Sequence, residues 1–165
     1  MKRLSFFLIP LFLLLSGCTN SADKTNLKLK NISFTIEATY YNESYIFDGK
    51  IEKDGNLYLT VKEPEEIVGM VLIHNGDRVD INYKGLTYTP NNLPVAHTTR
   101  ILYAVINEIG KDNFKLNTKD GNLRAEGKVE DKNYILTFSP AGFPLDLKIS
   151  ALGMSAVFSN VTSIK

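Results

Sequence analysis

The stretch ISFTIEATY, residues 32–40, alternates without a break. Ile32, Phe34, Ile36, Ala38 and Tyr40 fall on one side of an extended chain; Ser33, Thr35, Glu37 and Thr39 fall on the other. A period of two with one apolar side marks a strand covered on one face and wet on the other. The pattern continues through Tyr45, Phe47 and Ile51, then Leu57, Leu59 and Val61. It returns in Val79, Ile81 and Tyr83, in Tyr134, Leu136 and Phe138, and in Leu145, Leu147 and Ile149. Ile67 to Ile73 is apolar on both sides and reads as a strand covered twice or paired centrally.

Between these runs lie turn signals. Asp54-Gly55-Asn56, Asn75-Gly76-Asp77 and Asp120-Gly121-Asn122 are the strongest. Asp, Asn and Gly tolerate the positive φ angles of tight hairpins. Short strands between regular turns predict an antiparallel meander. One segment departs from it. Thr98 to Ile109 places Ile101, Leu102, Val105, Ile106 and Ile109 on one helical stripe, with Pro94 in the loop ahead and Gly110 as the expected C-cap. The predicted class is mainly β (α+β): a curled antiparallel sheet of roughly ten strands packed on one main amphipathic helix. Its concave apolar face would be built from Phe34, Ile36, Phe47, Leu59, Leu102, Val105, Ile106 and Phe138. Either these side chains fill the concavity completely, or they leave part of it open to an apolar ligand.

The N-terminus supplies a location. Lys2 and Arg3 precede Leu4–Leu15, an apolar run of roughly a dozen residues, short of the ~20 a membrane span needs. Leu15-Ser16-Gly17-Cys18 follows and resembles the bacterial lipobox. The resemblance implies a signal peptide over 1–17 and a thiol on Cys18 that carries diacylglycerol, with or without an added N-acyl group. It places the protein on the extracytoplasmic face of the cell membrane. Residues 18–30 then read as the lipidated cysteine and a polar tether, and 31–165 as a single domain. Cys18 is the only cysteine, which excludes disulfides and thiolate zinc sites within the chain. Loss of Lys2 and Arg3 takes the net charge from +1 to about −1, with no electrostatic footprint for nucleic acid.

Catalytic patterns are missing. His74 and His97 are the two histidines, without the HExxH or HxH spacing of a metal hydrolase, and they read as solvated polar residues near a turn and a loop. Glu63, Glu65 and Glu66 flank Pro64 in KEPEE; a solvated charged turn accounts for them more simply than acid–base chemistry does. No serine sits in a GxSxG elbow, and no glycine-rich phosphate loop is present. The chain reads as non-enzymatic, with no metal and no cofactor beyond the lipid on Cys18. Eight tyrosines and no tryptophan are consistent with an interaction surface, and strand propensity alone also explains them.

Three short motifs carry a wider resemblance. Glu63-Pro64-Glu65-Glu66-Ile67-Val68-Gly69-Met70-Val71 resembles a strand entry of LolA/LolB-like proteins, and Tyr83-Lys84-Gly85-Leu86-Thr87-Tyr88 resembles the hairpin that follows it. Gly142-Phe143-Pro144-Leu145-Asp146-Leu147-Lys148-Ile149 resembles a late strand of the same group. Within it, the chain is most similar to small membrane lipoproteins of spore-forming Gram-positive bacteria, which include a lipoprotein needed for spore germination. The resemblance implies a half-barrel with an apolar cavity. It leaves two roles open: binding a lipid or other apolar ligand in the concave face, or acting as an adaptor for a cell-wall or spore-cortex enzyme such as an amidase.

Replacing Cys18 by Ala is expected to leave the domain folded and release the protein from membranes. Retention in the membrane fraction after detergent-free washing would count against the lipobox.

Overall fold

The computed structural model describes residues 24–76, 78–90 and 93–164. The expected signal peptide, Cys18 and the residues up to 23 lie outside the described residues, as does Asp77 of one expected turn. Eleven strands form where the alternation places most of them. They are β1 (Ile32–Tyr40), β2 (Glu43–Ile51), β3 (Leu57–Glu63), β4 (Val71–Asn75), β5 (Arg78–Tyr83), β6 (Leu86–Tyr88), β7 (Phe114–Lys119), β8 (Asn122–Val129), β9 (Lys132–Phe138), β10 (Pro144–Ile149) and β11 (Met154–Ser163). Among the described residues one α-helix, α1 (Pro94–Gly110), falls between β6 and β7.

All strands join one open antiparallel sheet in the order β6-β5-β4-β3-β2-β1-β11-β10-β9-β8-β7. Two meanders, β1 to β6 and β7 to β11, meet where the first strand pairs with the last. The outermost strands, β6 and β7, are adjacent in the chain, and α1 carries it from one edge to the other. The helix touches β4 and β5 toward one edge, β1 in the middle and β8 toward the other. Its 17 residues are ~25 Å long, whereas a flat row from β5 to β8 would span roughly 38 Å. The sheet therefore bends toward the helix on both sides.

The inner face is continuous. Ile32, Phe34, Ile36 and Ala38 of β1 are buried, with Phe47 and Ile51 of β2, Leu59 and Val61 of β3, Leu136 and Phe138 of β9, and Phe158 of β11. Two glycines make room for aromatic rings on neighbouring strands. The Phe34 ring lies over its cross-strand partner Gly49, where a Cβ would sit 2.3 Å from Cε2, and meets Phe158 edge-on at 5.3 Å. The Tyr134 ring lies over Gly127 in the same way. A glycine covered by a neighbouring aromatic lets a sheet bend without opening a void.

Four details differ from the sequence reading. The segment Ile67 to Ile73 is not one strand covered on both sides. Glu65–Ile67 is a 3-10 turn, Gly69 adopts φ 80° while Gly69 N–H and Met70 O both bond to Val61, and the regular ladder starts at Val71, opposite Thr60. The helix begins at Pro94, whose ring suits the first helical position, and not at Thr98. Thr98 and Thr99 are buried because each hydroxyl donates to the carbonyl four residues back, Pro94 O at 3.2 Å and Val95 O at 3.0 Å. The left-handed residue after the helix is Asp112, with φ 62°, and not Gly110. Leu145 is only half-buried because the β9–β10 register shifts beside it.

The described part of the expected tether is fastened to the domain. Lys28 N–H donates to Gly142 O at 2.8 Å, Leu29 is buried, and Lys24 pairs with Asp112 at 2.8 Å. Gly142, at φ 83°, is required here, since a Cβ would lie 1.9 Å from Asn26 O.

Phe138→Ala should cost ~3–5 kcal/mol, and Gly49→Ala ~1–3 kcal/mol by driving a methyl into the Phe34 ring. Urea denaturation of both variants measures this; unchanged midpoints would contradict the packing described.

Candidate functional site

The structure brings all eight residues of the expected concave face into one core. Phe34, Ile36, Phe47, Leu59, Leu102, Val105, Ile106 and Phe138 are each at most 9 % exposed. They belong to four strands, β1, β2, β3 and β9, and to the inward stripe of α1, so the helix seals the concavity of the bent sheet. Cys18, the expected lipidation site, lies outside the described residues.

The polar candidates separate. His74 is not a solvated turn residue: it is buried, and its ring stacks on Tyr103 of α1 with centroids 3.8 Å apart and planes at 12°. Its position on β4 faces the core because it alternates with Leu72. His97 stacks more loosely on Tyr40, at 6.5 Å. Glu63, Glu65 and Glu66 are exposed, while the neighbouring Lys62 pairs with Asp48 at 3.2 Å. Among the described residues no group of three or more His, Cys, Asp or Glu side chains is placed to hold a metal ion.

The tyrosines do not share a face. Tyr45 and Tyr134 are buried, Tyr40, Tyr58, Tyr83 and Tyr103 are half-buried, and Tyr41 and Tyr88 are exposed. Tyr41 and Asn42 turn the β1–β2 hairpin with φ 48° and 67°, a turn without glycine. Tyr41 packs edge-on to Tyr40 at 4.7 Å beside a shallow depression of about 280 Å³ lined by Pro94 and His97.

The two sheet edges differ in chemistry. β7 carries Lys115 and Lys119, charges that discourage strand addition. β6 carries Leu86, 70 % exposed, and Tyr88, 42 % exposed. Tyr88 is opposite buried Ile81 and Leu86 is opposite Tyr83, so both extend the apolar face of the sheet past its last covered strand. Nearby, Tyr83 Oη donates to Glu66 O at 3.0 Å and fixes the KEPEE turn against β5.

A larger cleft of about 790 Å³ opens where the C-terminal end of α1 meets the start of β7, the end of β8 and the start of β9. Its lining includes Glu108, Asn113, Phe114, Gly127, Asn133 and Tyr134. Glu108 accepts from Lys111 Nζ at 3.2 Å and Asn113 Nδ2 at 3.1 Å. Those two donors hold its carboxyl below the ordinary carboxylate value. Tyr134 is 1 % exposed, and its hydroxyl has no hydrogen-bond partner among the described residues. Burial, and then the charge of Glu108, push that phenol up to about 12. Tyr45 is raised in the same direction by burial and by its hydrogen bond to Glu43. Sequence alternation placed Tyr134 in the core; the cleft around it depends on the register that sets Gly127 opposite, which no local pattern announces.

No protein-family model matches this chain, and no curated protein matches it.

The raised phenol has a consequence at alkaline pH. Above pH ~10 the unfolded chain releases the Tyr134 proton while the folded chain keeps it, so the unfolded state binds fewer protons and stability falls as pH rises. The loss from this group should reach roughly 2–3 kcal/mol by pH ~12. Denaturation across that window in the parent and Tyr134→Phe should show a smaller decline in the variant, with Tyr45 supplying part of what remains. Equal declines would contradict the assignment.

Proposed function

We propose that this chain is a non-enzymatic lipoprotein of the LolA/LolB-like half-barrel kind, held on the extracytoplasmic face of the membrane by a lipid on Cys18. Its domain acts as an adaptor that binds and supports an envelope enzyme, such as a cell-wall or spore-cortex amidase. The observation that carries this reading is the filled concavity. Leu102, Val105 and Ile106 occupy the space beneath α1 that an apolar ligand would need. Carriage of a lipid, the other role open from the sequence, requires those side chains to leave contacts that bury them almost completely. Burial of one such side chain is worth ~1.5–3 kcal/mol, so displacing three is a substantial cost.

The partner surface follows from the asymmetry of the edges. An exposed apolar ledge on an edge strand offers unpaired backbone groups together with side-chain contact area, the combination that strand addition uses. Leu86 and Tyr88 supply it at β6; the lysines of β7 do not.

The test is site-specific photocrosslinking of the full chain in its native cells, with a photoreactive phenylalanine at position 86 or, as control, at 119. A discrete crosslinked protein from 86 and none from 119 is expected. Lipid extraction of the purified Cys18→Ala chain should yield no stoichiometric lipid. One tightly held lipid per chain, with no crosslink from 86, would replace the adaptor by a carrier.

A further inference from the structure

We propose that the cleft at the C-terminal end of α1 binds a hydroxyl-rich glycan segment, with the Tyr134 hydroxyl as its buried hydrogen-bond donor. This site is separate from the β6 ledge and does not rest on the adaptor reading.

The first argument is the hydroxyl itself. Tyr134 packs as a core aromatic, and a phenylalanine would fill the same ring space. The additional oxygen is shielded from water and has no partner among the described residues. A buried hydroxyl left unpaired is destabilising, and native structures seldom keep one without a use. The second argument is Gly127. Its φ is not in the left-handed region, so the backbone does not demand glycine there. A Cβ at this position would stand 2.6 Å from Tyr134 Oη. The missing side chain therefore makes the place where the hydroxyl sits, and both residues belong to the lining of the cleft.

The third argument is the chemistry around it. The ionised Glu108 accepts hydrogen bonds, Asn113 and Asn133 can donate and accept, and the half-buried Phe114 ring adds an apolar surface. A hydroxyl can accept from a phenol and donate to a carboxylate through one atom. Several such groups beside one ring are what a sugar presents. The carboxylates of the cleft are already balanced: Glu108 by Lys111, Asp112 by Lys24, and Glu126 by Arg124 at 2.9 Å. No bare cluster of negative charge remains there to select a metal ion or an amine. A volume of about 790 Å³ lies in the range of small-ligand sites and leaves room for more than one ring.

Two measurements test the proposal on the full chain and on Tyr134→Phe. The first is binding to an array of neutral, N-acetylated and uronate-containing oligosaccharides, followed by titration of the strongest binder. The second is thermal unfolding without glycan. Tyr134→Phe is expected to bind about tenfold more weakly, the loss of one good hydrogen bond, while unfolding at the same or a higher temperature. A purely structural tyrosine would give the opposite thermal result. No binding anywhere on the array, undiminished binding by the variant, or a variant melting several degrees lower would each overturn the proposal.

Discussion

The pairing of β1 with β11 is the constraint on which the rest of the domain depends. Every other strand contact in the sheet is made between neighbours in the chain, through hairpins and short connections. β1 and β11 are separated by nearly the whole chain, yet they pair from Ile32 opposite Ser163 to Tyr40 opposite Met154. Without that ladder the molecule would be two meanders, each with one apolar face and nothing to cover it. With it, the two faces become one, and α1 can seal both. Asn31 closes the end of the ladder through paired contacts with Ile164, its side chain donating to the carbonyl and its own carbonyl accepting from the amide. Loop-closure entropy must be met before such a distant pairing gains any contact energy, so the central ladder is the slow part of assembly.

The helix and the glycines follow from the same constraint. Because the sheet is continuous across its centre, its outer strands can reach one short helix only by bending. Gly49 and Gly127 give the bend a place in each meander, and Phe34 and Tyr134 fill the space that the missing side chains leave. In the first meander the ring is a phenylalanine and the result is dry core. In the second it is a tyrosine, and the same packing device buries a polar atom within a residue that lines a cleft. The difference between a purely structural position and a candidate binding position is thus one oxygen atom on otherwise similar geometry.

Much of this was legible in the sequence, for a physical reason. A strand buried on one face must alternate, so β1, β2, β3, β5 and β9 announced themselves, and the stripe from Ile101 to Ile109 could not be a strand. What was not legible depended on interactions beyond the local chain. The turn at Tyr41 and Asn42 adopts positive φ at both residues; the asparagine suits it, but no composition rule marks the tyrosine. Ile67 and Val68 are apolar but sit in a turn, because the chain must reverse at Gly69 before it can pair with β3. His74 reads as polar and lies beside a turn, but its strand position directs it inward against a tyrosine of the helix. The 790 Å³ cleft needs the helix end, three strands and one register to coincide, so only the assembled fold reveals it.

The central position of β1 also decides how the domain carries load. Tension applied along β1 acts on a strand that is laddered on both sides, to β2 and to β11, over nearly its full length. Antiparallel hydrogen bonds lie across the strand axis. Tension along β1 therefore shears many of them at once and does not peel them one at a time. Attachment at an edge strand would let the sheet unzip from its rim. Loading through the middle makes the domain mechanically strong along β1.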